Sequence, residues 1–228
     1  MFICLCVLVG QNKQPTLWLL FLVLTDGMTS NIELANIFAN YQFIAGTDEV
    51  GRGALAGDVI AAAVILDDED SILGLSDSKK LTSNKRDLLY DIILEKALDV
   101  SIGRASVSEI DKLNILQASL LAMERAVNSL SILPGYVLAD GIHLPHWNYK
   151  SHAIIKGDQK VACISAASIV AKVFRDREIA KVDSLYPQFD FCANKGYPTK
   201  KHLKALARYG PCSIHRISFS PVSKSLKI

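Results

Sequence analysis

Thr47-Asp48-Glu49-Val50-Gly51-Arg52-Gly53-Ala54-Leu55-Ala56-Gly57, followed after Asp58 by the apolar run Val59 to Leu66, decides how this chain folds. Immediately upstream, Phe43-Ile44-Ala45-Gly46-Thr47 reads as a short strand. The unbroken run Val59 to Leu66 reads as a buried strand, because apolar residues without alternation need cover on both faces. The glycines between them mark a turn. Two acids, Asp48 and Glu49, therefore stand where a strand meets a Gly-rich turn, a place where a rigid scaffold displays function.

Working outward, Thr82 or Ser83 can cap a helix running through Leu98, with Leu88, Leu89, Ile92, Ile93 and Ala97 at helical spacing as a core face. Asp99 to Val107 reads as a third strand, followed by a short turn and a long helix over about Asn114 to Leu130 that stops before Pro134. Tyr136 to Asp140 is the next strand and Ser151 to Lys156 the last. A helix over Val161 to Asp183 carries Ala162, Ala166, Ala167 and Ala171, small side chains that let its axis lie close to a sheet. Lys200 to Tyr209 makes one more helix before a polar tail. Early strands, then strand and helix in alternation, predict an α/β or α+β layer fold with helices flanking a mixed sheet.

The chain has 228 residues and a formal net charge of +2, which excludes a binder driven by bulk positive charge. Any polyanion contact must be local. Cys4, Cys6, Cys163, Cys192 and Cys212 form no CxxC pair and read as free thiols of a reducing cytoplasm. The two apolar bursts Phe2 to Val9 and Thr16 to Leu24 are each shorter than the roughly 20 residues a bilayer span needs. The segment also lacks the basic start of a signal peptide. Translation is expected to begin at Met28, with residues 1–27 a start-site artefact or a disordered tail.

Four acids fall at predicted element ends: Asp48, Glu49, Asp140 after Tyr136-Val137-Leu138-Ala139, and Asp158 before the long helix. If they converge, each pair about 4 Å apart costs on the order of 4 kcal/mol at an effective dielectric near 20, which a proton or a cation must offset. Oxygen donors without His or Cys favour a hard ion, Mg²⁺ or Mn²⁺, over zinc. Each acid also has a plainer reading. Asp48 and Glu49 are a solvated strand end, and point to opposite faces unless the strand is irregular there. Asp140 before Gly141 is a turn former, and Asp158 an anion near a helix N-terminus. Spacing alone leaves convergence open. His143-x-x-His146 reads as surface loop, and Arg175-Asp176-Arg177-Glu178 as a solvated helix face.

The Thr47–Gly57 stretch resembles the opening motif of bacterial ribonuclease HII, and further matches follow in the family's order. They are Asp77-Ser78-Lys79-Lys80-Leu81, Ala139-Asp140-Gly141, Lys156-Gly157-Asp158, the run Ile164 to Asp176, and Asn194-Lys195-Gly196-Tyr197-Pro198-Thr199 with His202. His215-Arg216 and Phe219-Ser220-Pro221-Val222 close the series. The resemblance implies a ribonuclease H-like fold, a mixed five-stranded sheet flanked by helices, in one domain over 28–228 that ends in a helical segment. It implies that Asp48, Glu49, Asp140 and Asp158 hold catalytic Mg²⁺ or Mn²⁺, and that Gly51, Arg52 and Gly53 recognise a 2′-hydroxyl. Tyr197 would pack against the deoxynucleotide sugar on the 3′ side, and Lys79 would hold phosphate. The implied partners are an RNA–DNA hybrid or a duplex DNA containing ribonucleotides, with no membrane. Ala54 and Asp58 depart from the proline common in the family, which puts the rigidity of the turn in question. A junction-cutting nuclease of similar fold and a noncatalytic nucleic-acid module are the alternatives.

Overall fold

The two strands flanking the Gly-rich turn pair with each other and sit at the centre of one sheet. In the computed structural model, which describes residues 28–67, 72–76 and 78–226, β1 (Ile44–Val50) and β2 (Val59–Ile65) are antiparallel neighbours. Residues 1–27, on which the start-site expectation rests, and Asp77 of the Asp-Ser-Lys motif lie outside the described residues. β3 (Asp99–Ala105) adds antiparallel to β2, while β4 (Tyr136–Asp140) and β5 (Ser151–Ile154) add in parallel on the other side. The order β3-β2-β1-β4-β5 is the expected mixed five-stranded sheet. β3 and β5 end two residues earlier than the sequence reading had them, and Lys156, at φ 56°, turns the chain away after β5.

Side-chain alternation along β2 explains why the run is continuous rather than striped. Val59, Ala61, Ala63 and Ile65 face a helix layer containing Ala118, Ala122, Met123 and Ala126; Ala62 and Val64 face a second layer with Ala166, Ala167 and Val170. The first layer is α4 (Ile115–Asn128), the second α5 (Ala162–Lys181) backed by α2 (Ser83–Lys96). Thr82, not Ser83, caps α2 by accepting from the Lys85 N–H. Leu88, expected on its core face, is exposed; Leu89 and Ile93 are buried. Close approach depends on missing side chains. A Cβ on Gly46 of β1 would lie 2.2 Å from the Cys163 carbonyl carbon of α5, and one on Gly103 of β3 would lie 2.0 Å from the Ala122 oxygen of α4.

The expected short turn after β3 is instead a helix, α3 (Val107–Leu113), begun by a capping box in which Ser106 and Glu109 each accept from the other's backbone N–H. A further helix, α1 (Met28–Asn40), belongs with the residues up to Gln42 to a unit that groups apart from Phe43 onward, whereas the sequence reading drew its boundary at 27/28. After α5 the chain forms the short α6 (Phe191–Asn194), α7 (Lys200–Tyr209) and α8 (Ser220–Ser225), the last where a polar tail was expected. Leu55, Ala56, Ile179, Phe189, Phe191, Leu206 and Val222 form a third core that attaches this C-terminal segment to the Gly-rich turn. Among the described residues no helix is long and apolar enough to cross a membrane.

Candidate active site

Asp48 and Glu49 occupy a regular strand, contrary to the irregularity that a shared site was expected to require. Their register with Ala62 and Ala61 continues unbroken to Val50, and the turn begins only at Gly51. Asp48 accordingly lines a cleft on the α5 side with Ser168 and Lys172, while Glu49 also borders a recess on the α4 side with Ser119, Met123 and Asp140. They still act on each other, because Asp48 Oδ1 curls forward to accept the Glu49 N–H at 2.7 Å. Asp140 comes alongside because β4 runs parallel to β1, one step beyond the Thr47–Ala139 pair.

Burial raises the Asp48 carboxyl well above the ordinary carboxylate range, and repulsion from Glu49 and then Asp140 raises it further; a Ser168 hydrogen bond opposes them. Glu49 is also raised, first by burial, with Asp140 adding to it and Arg52 opposing it from 3.2 Å. Asp158 is buried in the 3₁₀ turn Gly157–Gln159 ahead of α5, its carbonyl accepting from Ser165 Oγ at 2.6 Å. The adjoining Gly157 N–H donates to Asp140 Oδ1 at 2.7 Å, so backbone links the third acid to the fourth. Asp48, Glu49 and Asp140 are thus brought within electrostatic reach of one another, and Asp158 joins through that turn.

Among the described residues no three His, Cys, Asp or Glu side chains form a ready metal cage. One oxygen of Asp48 and one of Asp140 are turned to backbone N–H groups, which is how three repelling carboxylates rest together. The donor set still suits a hard divalent cation. It offers oxygen alone, and its crowded negative charge is what such an ion relieves.

Gly51, Arg52 and Gly53 form the rim beside these acids. Gly51 has φ +95°, and a Cβ there would lie 2.3 Å from Arg175 Nε, so both backbone and space require glycine. A Cβ on Gly53 would lie 3.9 Å from Tyr197, whose ring joins Lys79, Lys172, Ser78 and Ser168 around a cleft of about 290 Å³ that includes Asp48 and Glu49. Every nucleic-acid residue expected from sequence therefore borders the acids or the rim beside them.

The ribonuclease HII family model matches residues 45–222. The chain belongs to this family. A ribonuclease HII from Shewanella amazonensis is 56% identical over 184 residues, 81% of this chain and 89% of that one. Among solved structures, the ribonuclease H2 of Pyrococcus horikoshii is 28% identical with a TM-score of 0.70, over 81% of this chain and 97% of that one. A ribonuclease HII of Archaeoglobus fulgidus, solved in a complex with PCNA, is 25% identical with a TM-score of 0.66, over 78% and 96%. A ribonuclease H hydrolase on a ribonuclease H-like sheet is the activity and fold this membership carries, and divalent-metal dependence is general for ribonuclease HII.

Sequence reading missed two arginines and two residues of the ribonuclease HII cleft. Arg175, assigned to a solvated face, is 2% exposed: its guanidinium donates to the carbonyls of Ala56, Asp58 and Lys195. Its neighbours do behave as expected, with Lys172 pairing to Asp176 and Lys181 to Glu178. Arg216 is fully buried and donates to Arg52, Ala54 and Gly57 carbonyls. Ser168 and Lys172 lie inside the Ile164 to Asp176 motif; one helical turn apart on α5, they share the face that lines the cleft with Asp48. Their spacing was the available signal.

Proposed function

We propose that this protein is an endonuclease that hydrolyses the phosphodiester 5′ to a ribonucleotide, in RNA–DNA hybrids or embedded in duplex DNA, leaving a 3′-hydroxyl and a 5′-phosphate. It acts in the cytoplasm. The carrying observation is the mutual pressure of Asp48, Glu49 and Asp140 beside a turn that admits no side chain at Gly51. Asp48, Glu49, Asp140 and Asp158 would hold Mg²⁺ or Mn²⁺. When bound, such an ion polarises a phosphoryl oxygen and makes water a better nucleophile near neutral pH.

The chain's own residues supply orientation and selection. Lys79, on the cleft wall, holds phosphate without regard to sequence. Gly51 and Gly53 let main chain approach a ribose, and polar groups paired to its 2′-hydroxyl reject a sugar lacking it by as much as about 10⁴-fold. Arg52 bridges that rim to the acids through Glu49. Tyr197, opposite Gly53, offers a flat apolar face to the neighbouring deoxyribose.

A duplex carrying one ribonucleotide and an all-DNA control, each incubated with Mg²⁺ or Mn²⁺, test this directly. Nicking confined to the ribonucleotide duplex, with the stated ends, is the expected result. Equal cutting of both indicates a junction-type nuclease, and retention without cutting a noncatalytic module.

A further inference from the structure

The Gly-rich turn is held by its carbonyl oxygens, and the donors are charged. Arg216 Nε and Nη2 both reach the Gly57 oxygen, at 2.9 and 2.7 Å, and Nη1 reaches those of Arg52 at 3.1 Å and Ala54 at 2.7 Å. Arg175 takes the other edge: Nε to the Asp58 oxygen at 3.1 Å and Nη2 to that of Ala56 at 3.0 Å. Backbone completes the frame, with Leu55 N–H on the Gly196 oxygen, Gly57 N–H on that of Ile214, and Arg216 N–H on that of Leu55. Two buried guanidiniums side by side are unfavourable. Burial and the Arg175 charge together push the Arg216 pKa down to about 9, which still leaves it charged at neutral pH. Carbonyl oxygens are what offset that burial, and only a planar fork with five donors can serve several at once.

Arg175 does more than brace one loop. Its Nη1 donates to the Lys195 oxygen at 2.9 Å, in the turn that leads to Tyr197, and its guanidinium carbon lies 5.5 Å from the Tyr197 ring centroid. It springs from α5, two turns past Ser168, which hydrogen-bonds Asp48. The ribose-facing turn, the tyrosine and the acids are therefore all referenced to one helix.

We propose that Arg175 and Arg216 are the positioning residues of ribose discrimination, fixing the turn 51–58 by its carbonyls so that Gly51-Arg52-Gly53 stands at the height where a 2′-hydroxyl is felt. The proposal rests on the function given above and adds the residues that set its selectivity. Asp58, at a position where the family commonly has proline, is itself tied down: its carboxylate accepts the Val107 N–H at 3.0 Å and pairs with Arg104 at 2.9 Å. Hydrogen bonds supply the stiffness that a proline ring would.

The test is equilibrium binding, without divalent ion, to a duplex with one ribonucleotide and to the same duplex in all-DNA form. Wild-type protein is compared with Arg175→Lys and Arg216→Lys, which keep the charge and lose the fork, and thermal unfolding identifies variants that remain folded. The ratio of the two Kd values is expected to fall by about tenfold or more in folded variants, with all-DNA affinity little changed. A merely structural role would weaken both affinities together and leave the ratio intact, and that result overturns the proposal alone. A wild-type protein with no preference overturns the proposed function and this inference with it. Should neither variant fold, amide exchange on the wild-type protein decides: Leu55 and Gly57 must exchange as slowly as the central strands, and rapid exchange there overturns the proposal.

Discussion

A single carboxylate, Asp48, bears most directly the negative charge crowded into the proposed site. Asp48 is buried and faces two like charges, with a serine and a backbone N–H among the described residues in compensation, so its ionised form is disfavoured and a cation bound there would relieve it. Asp140→Asn removes one of those charges while leaving an oxygen to accept the Gly157 N–H. Cutting should disappear while duplex binding persists. The ion-free variant should also melt at or above the wild-type temperature, and the rise in Tm that Mg²⁺ or Mn²⁺ gives wild-type protein should be lost. Calorimetric scans with and without the ion check this; wild-type cutting by Asp140→Asn at saturating Mg²⁺ removes Asp140 from the site. Gly51→Ala tests the rim. Its methyl group meets Arg175 at a φ that L residues avoid, so a loss of roughly 1–3 kcal/mol in urea unfolding, with nicking reduced, is the expected outcome.

At the scale of elements, α7 is tied to the tyrosine turn by two histidines whose protonation states follow from their partners. His202 Nδ1 donates to the Tyr197 oxygen at 2.9 Å, so its Nε2 accepts from His215 Nε2 at 3.0 Å, and His215 Nδ1 accepts the Cys212 N–H at 3.0 Å. No site remains for an added proton. Burial, and then His202, push the His215 pKa down to about 4, and burial lowers that of His202. Since the unfolded chain takes up these protons near pH 6.5, stability from this pair is complete above that value and declines as pH falls toward about 4. The loss through His215 is on the order of 3 kcal/mol. Urea midpoints at pH 7 and pH 5 measure it, and in His215→Asn the difference should shrink. The sheet has its own weak point in the opposite sense. Gly46→Ala drives a methyl group into the α5 backbone, where no side chain can yield, and should destabilise by several kcal/mol or prevent folding.

For the molecule as a whole, the family match begins at residue 45, so the catalytic machinery is expected to be independent of the first 27 residues. Protein starting at Met28 should nick a single-ribonucleotide duplex about as fast as the full chain, because every residue proposed for the reaction lies inside the family match. A large loss would give residues 1–27 a role in the reaction. The C-terminal segment is different in kind, because its side chains form a core with the Gly-rich turn: Val222, in a stretch that reads as polar, is fully buried there.

Local pattern determined much of this protein. The all-apolar β2 declared a sheet covered on both faces, a cap at Thr82 or Ser83 marked one helix start, and the ordered motifs named the four acids and the rim residues now proposed for the site. Other features depend on partners distant in the chain. Arg175 and Arg216 have the sequence appearance of surface charges, and only folding places them under carbonyls about 120 and 160 residues away. The capping box of α3 places Ser106 and Glu109 in and just past a stretch that reads as strand and turn, and seven residues are too few for periodicity to separate a helix from a turn. Whether Asp48 and Glu49 act together was likewise undecidable along the strand, since alternation sends them to opposite faces. Their meeting at one sheet end follows from parallel pairing with β4, which brings in Asp140, and from packing of α5, because sequence specifies each strand's faces while tertiary contacts choose its neighbours.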